Sequence, residues 1–132
     1  MLGYLRRLAL NNQHLDDDLR FEGVIFNPQN GELRVVVSQP FIIGRPATRA
    51  EIEAYFKAKG FERFTNRSWW HGGYEILFSD AEGHNILTGV DGRVYPIDLI
   101  PEIGLSPMRI QQIERGVEGF KSIQEDTIEP GP

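Results

Sequence analysis

The sequence predicts an α+β fold of three β-hairpins with an internal capped helix and a helix at each end, and three observations carry that reading. β-branched and aromatic runs alternate with turn signals, first at residues 19–26 and 33–41 around Asn27-Pro28-Gln29-Asn30-Gly31. Thr48 stands three residues ahead of Glu51, and Ser106 stands directly before Pro107, two helix-opening signatures. Fourteen glycines and eight prolines in 132 residues ask for many short elements joined by tight turns. A chain of 15.1 kDa has room for one core, so residues 1–121 are expected to form a single domain.

Taken in order, residues 2–10 place Leu2, Leu5, Leu8 and Ala9 at the spacing of a short amphipathic helix. Asn11-Asn12-Gln13-His14 breaks the pattern, and Asp16-Asp17-Asp18 reads as a solvated acidic linker. The first hairpin ends at Gln39-Pro40, where proline removes a ladder donor, so 41–46 reads as a connector. The Thr48 box opens a helix over 49–59, with Ile52, Tyr55 and Phe56 on one face and Gly60 as its stop. Residues 64–70 and 74–78 flank His71-Gly72-Gly73 as a second hairpin, in which Trp69 and Trp70 point to opposite faces, one to the core and one to the surface. Residues 86–88 and 93–100 flank Gly89-Val90-Asp91-Gly92 as a third. A last helix opens at Ser106-Pro107, weakened near its end by Gly116 and Gly119, and the acidic tail 122–132 is expected to be disordered.

Charge and composition exclude several functions. Fourteen Lys and Arg against nineteen Asp and Glu give a net charge of −5 without a basic block, so no nucleic-acid partner is expected. No apolar run approaches the ~20 residues of a membrane span, so no membrane partner is expected either. Arg6 and Arg7 fall inside the N-terminal apolar stretch instead of ahead of it, unlike a signal peptide. The absence of Cys excludes thiolate metal sites and is compatible with a cytoplasmic location.

The chemistry concentrates in 78–99. If Asp91-Gly92 is a two-residue turn, Val90 pairs with Arg93 and Asn85 faces Asp98; if the loop is the four residues 89–92, Thr88 pairs with Arg93 and Asn85 faces Pro96. Either register puts the Asn85 amide and the Asp98 carboxylate on one sheet face, roughly 5–8 Å apart between Cβ atoms. An amide oxygen and a carboxylate so placed suit one hard cation such as Mg²⁺, which takes few protein ligands and fills its shell with phosphate and water. Asp80, five residues before Asn85, is positioned to serve as a base, and His84 in the same loop is a candidate ligand or phosphate donor. Singly these residues also have ordinary roles, in an Asx turn for Asp80 and in loop hydrogen bonds for Asn85. Asp98 within Pro96-Ile97-Asp98-Leu99-Ile100 is the hardest to dismiss, because a carboxylate on a buried strand needs a cationic partner, such as Arg93, or a metal.

The spacing Asp80-x-x-x-x-Asn85, followed thirteen residues later by Ile97-Asp98, resembles the catalytic loop and metal-binding Asp of kinase-like phosphotransferases. The wider run is more closely similar to the kinase-like domain of polyvalent proteins of bacterial phages and mobile elements. It shares a hairpin ending in Gln39-Pro40-Phe41, a Thr-capped helix and a Gly60-Phe61 step, over about residues 10–100. The resemblance implies a truncated kinase-like fold in which Asp80 is catalytic, Asn85 and Asp98 hold Mg²⁺, and Gln39 and Phe41 form a hinge-like contact to ATP. The chain departs from protein kinases in carrying Phe78-Ser79 in place of His-Arg and Leu99-Ile100 in place of Phe-Gly. It has no Gly-rich loop before residue 19, and its three lysines, Lys57, Lys59 and Lys121, lie off the strands of the first half. The expectation is a kinase-like phosphotransferase domain that lacks most of its nucleotide-binding lobe and is incomplete or non-catalytic alone, binding ATP weakly. Two alternatives stand beside it: a protein–protein interaction module, and a small metal-dependent hydrolase using Asp80, His84, Asn85 and Asp98. The face formed by the first hairpin and residues 2–10 is expected to be covered by a second copy, as a homodimer, or by a partner protein.

Overall fold

The computed structural model describes residues 2–127, with side chains from 3 to 123. The described chain is mixed α+β: α1 (Leu2–His14), β1 (Arg20–Asn27), β2 (Glu32–Ser38), β3 (Gly44–Pro46), α2 (Arg49–Ala58), β4 (Glu62–Thr65), β5 (Ser68–His71), β6 (Ile76–Ser79), β7 (Ile86–Gly89), β8 (Val94–Pro96), β9 (Ile100–Glu102) and α3 (Pro107–Thr127). Every strand pair is antiparallel, in three sheets ordered β1-β2, β3-β7-β8 and β4-β5-β6-β9. None of the described helices is long and apolar enough to cross a membrane.

The four-stranded sheet is the centre of the packing, and its period-two alternation feeds two cores. Trp69, Ile76 and Phe78 join Ile52 and Phe56 of α2, Leu15 after α1, Ile86 and Leu99 in the larger core. The Phe56 and Trp69 rings stack at 5.1 Å, nearly parallel. Trp70 and Leu77 turn to the other face and pack on Ile113 and Val117 of α3. Both tryptophans are therefore buried, so the expected surface tryptophan is corrected: each sheet face is covered by helices, which leaves no open side for a ring.

The α2 capping box forms as expected. The Thr48 hydroxyl accepts from the Glu51 N–H and the Glu51 carboxylate accepts from the Thr48 N–H. Arg45, joined to Glu51 at 2.7 Å, holds that carboxyl down to about 2. Ser106 caps α3 through Arg109 N–H, also as expected.

Elsewhere the boundaries move. The first helix runs four residues past 10, because Asn11 is fully buried with both ends of its amide bonded and Leu15 continues the apolar stripe. Asp16–Asp18 is more than a wet linker: Tyr55 donates to the Asp16 carboxylate and Asp17 accepts from Asp98. Residues 44–46 of the connector form β3, which pairs with β7; a Cβ on Gly44 would collide with the Thr88 carbonyl, so the close approach requires glycine. The expected second hairpin is part of a meander, since Asn66-Arg67 turns the chain between β4 and β5. The expected third hairpin loses its end, because β9 leaves β8 and pairs with β6. Residues 122–127 of the expected tail continue α3, and 128–132 lie outside the described residues.

Gly116 sits in mid-helix, and a Cβ there would overlap the Phe64 ring, so this glycine lets α3 lie close on β4. Around Gly119 a Cβ meets nothing within 4 Å. Denaturant unfolding of the two alanine variants is expected to give opposite signs. Gly119→Ala gains ~0.5–1 kcal/mol from helix propensity. Gly116→Ala gains the same propensity but loses ~1–3 kcal/mol to overpacking, for a net loss.

Candidate functional site

β6 ends at Ser79, and the chain turns sharply through Asp80, which takes the left-handed conformation at φ 65°. Aspartate tolerates that conformation better than most residues because its short side chain bonds locally. Asn85 closes the loop: its Nδ2 donates to the Asp80 carbonyl at 2.9 Å and to Asp80 Oδ2 at 2.8 Å, and its backbone N–H donates to the Glu82 carbonyl. The amide thus fixes the carboxylate's orientation while its own Oδ1 makes no hydrogen bond among the described residues.

The second arm comes from residues 97–99. Asp98 is not on a strand; it breaks the chain between β8 and β9 with φ 51°, and its side chain is about one-third exposed. Arg7 of α1 donates from Nε to Asp98 Oδ1 and from Nη2 to the Asp98 carbonyl, both at 2.9 Å. The Asp98 N–H donates to Asp17 Oδ2 at 2.9 Å. One turn along α1, Asn11 accepts from the Leu99 N–H and donates to the Leu99 carbonyl, each at 2.9 Å. Side chains of α1 and Asp17 therefore satisfy four backbone groups that a neighbouring strand would otherwise pair. Burial, the largest influence, raises the Asp17 carboxyl above its ordinary range, partly opposed by the backbone donors it accepts from.

The two arms meet at a hollow of about 440 Å³ lined by Arg7, Val37, Gln39, Asp80, Asn85 and Asp98, among others. They meet by a different route from the expected one. Leu87 pairs with Tyr95 and Ile86 with Pro96, and the Ile97 N–H donates to the Asn85 carbonyl, which places Asn85 opposite Ile97. This register lies between the two weighed from sequence. A regular ladder in it would send Asn85 and Asp98 to opposite faces, and the left-handed turn at Asp98 returns the carboxylate to the same hollow.

As a donor set the hollow suits a hard divalent cation. Asn85 Oδ1, Asp98 Oδ2 and Asp80 Oδ1 are oxygens that make no hydrogen bond among the described residues, and Mg²⁺ needs few such ligands. The Asp98 oxygen nearest α1 is held by Arg7, so a cation there shares Asp98 with a guanidinium. Gln39 lines the hollow, whereas Phe41 is 90 % exposed and lines no hollow among those described. His84 is mostly exposed, 3.5 Å from Glu82, and its ring lies with the Asp80 and Glu82 carboxylates within 4.8 Å of one another. Glu82 is already paired with Arg67 at 2.7 Å. The partner of Asp98 is Arg7 rather than Arg93.

Sequence reasoning missed Arg7, Asn11 and Asp17. A signal was present: Leu8, Asn11 and Leu15 fall on one helical stripe, and a polar residue in such a stripe needs a partner that completes its hydrogen bonds.

No curated protein and no solved structure matches the chain significantly. A family model described as a serine/threonine/tyrosine kinase found in polyvalent proteins matches residues 1–104, from α1 through the Asp80–Asn85 loop, Asp98 and β9. The chain belongs to this family of kinase-like domains of polyvalent proteins.

Proposed function

We propose that the chain is a kinase-like phosphotransferase domain that keeps a divalent-cation and nucleotide-phosphate site but does not turn over alone. The convergence of Asp80, Asn85 and Asp98 on one hollow carries the reading. In it, Asn85 and Asp98 hold a cation such as Mg²⁺, which when bound neutralises phosphate charge. With the phosphate-positioning groups supplied from elsewhere, Asp80, oriented by the Asn85 amide, would accept the proton of an acceptor hydroxyl as the hydroxyl oxygen bonds to the terminal phosphorus of ATP and the bond from that phosphorus to ADP breaks. Phosphoryl transfer depends on positioning and on cations around the phosphates. The lysines do not supply them: Lys57 pairs with Glu53, Lys59 with Asp16 and Lys121 with Glu62. Arg7 is the cation at the hollow, and it is spent on Asp98.

Calorimetry with ATP and Mg²⁺ is expected to show millimolar or weaker binding and no phosphate transfer. Removing the competing ion pair by Arg7→Gln is expected to tighten divalent binding about threefold, the order expected of a pair about one-third exposed at each side chain. Asp98→Asn is expected to abolish it. Micromolar ATP affinity, or transfer lost in Asp80→Ala, would show a complete active site and overturn the reading of an incomplete one.

A second reading, an interaction surface, is favoured by the first hairpin. β1 and β2 pack chiefly on one another, leaving Phe21, Val24, Ile25, Phe26 and Leu33 between 45 % and 60 % exposed. Apolar patches of this kind mark interfaces, and a second copy of the chain is the default occupant, with a partner protein the alternative. Sedimentation at tens of micromolar is expected to give a mass above 15.1 kDa that returns to 15.1 kDa in Ile25→Glu. A monomer in both removes the homodimer.

A further inference from the structure

The loop that gives Asp80 and Asn85 to the first hollow gives its middle residues, Ala81, Glu82 and Gly83, to a second of about 420 Å³, which Arg49, Arg63 and Arg67 also line. Two of these three cations lack a counter-charge in hydrogen-bonding contact. Arg67 is engaged by Glu82 at 2.7 Å. The guanidinium of Arg49, at the first position of α2, makes no hydrogen bond or ion pair among the described residues. Arg63, on β4, has a side chain only 9 % exposed, and its guanidinium lies over the rings of Trp69 and Phe120. Its nearest carboxylate oxygen, on Glu53, is 3.7 Å away, and its Nε is buried without an acceptor.

A guanidinium carries five donors in a rigid fork, and burying its Nε–H without an acceptor is costly. The cost registers on Arg63 itself: burial, the largest influence, lowers its proton affinity, the Glu53 carboxylate partly opposes this, and the charge of Arg49 adds a smaller lowering. Glu82 is the one carboxylate lining the hollow, and Arg67 offsets it, so the hollow keeps a positive surplus on Arg49 and Arg63.

We propose that this second hollow is an anion site for a phosphate-class ligand, held by Arg49 and Arg63 on the flank of the Asp80–Asn85 loop away from the candidate cation site. Two guanidinium groups match a tetrahedral dianion with several acceptor oxygens better than a single carboxylate. The proposal does not depend on the phosphotransfer reading, since none of these arginines lines the first hollow.

The test is a titration of the full chain with inorganic phosphate, read by NMR at the Arg63 Nε–H and the Trp69 indole, with acetate as the monoanion control. The expected result is saturable binding in the millimolar range, weakened about tenfold by Arg49→Gln, tightened by Glu82→Gln and unmoved by Asp98→Asn. Arg49 lies at the surface and its loss spares the core, so a folded variant is expected. Shifts that never saturate, that acetate reproduces at equal concentration, or that ignore both Arg49→Gln and Glu82→Gln overturn the site. Loss of phosphate binding in Asp98→Asn would move the anion to the first hollow and overturn it too.

Discussion

Asn11 is an amide side chain with no exposure to solvent, and it meets the backbone of Leu99, 88 positions away, as one strand meets another: one N–H accepted, one carbonyl bonded. Much of the site's geometry depends on this pairing. Leu99 is itself fully buried in the larger core, so without Asn11 its N–H and carbonyl would be left unpaired, at ~1–3 kcal/mol each. Because Arg7 lies one turn earlier on α1, the same helix that satisfies Leu99 also grips Asp98. The ion pair, about one-third exposed at each side chain, contributes at most ~1 kcal/mol to stability. Its greater consequence is orientation. Asp98 holds a left-handed backbone conformation because its N–H, carbonyl and carboxylate all have fixed partners.

Asp80 uses the same device with local partners. Asn85 bonds both its carbonyl and its carboxylate, so both carboxylates of the hollow sit on strained turns pinned by a neighbouring side chain. Strain of this kind, of order 1–3 kcal/mol, persists where the surroundings over-determine the backbone, and it clusters at functional sites. The short loop between Asp80 and Asn85 also separates two hollows of opposite character, one lined by carboxylates and the other by arginines. The larger core beneath the loop, with Phe78, Ala81 and Ile86 all buried, holds it in place.

What the sequence disclosed was local. The Thr48–Glu51 box and Ser106-Pro107 located two helix starts, and Asn27 to Gly31 located a turn, because each signal is complete within a few residues. The helical state of Asn11 to His14 was hidden because its cause lies at Leu99. The burial of both Trp69 and Trp70 was hidden because alternation reports two faces without reporting that helices cover each. Asp80, Asn85 and Asp98 were legible as a group from their spacing, whereas the register that brings them together was not. It depends on a left-handed turn at Asp98 that Arg7 and Asp17 enforce from the far end of the chain.

The claim that α1 holds Asp98 and Leu99 in place is tested most directly by hydrogen exchange at the Leu99 amide. The account predicts that this amide is protected as strongly as that of Phe78 in the central sheet, and that Asn11→Ala removes the protection at Leu99 and Asp98 while Phe78 stays protected. A Leu99 amide that exchanges like an exposed loop in the unmodified chain, or one indifferent to Asn11→Ala, would contradict it.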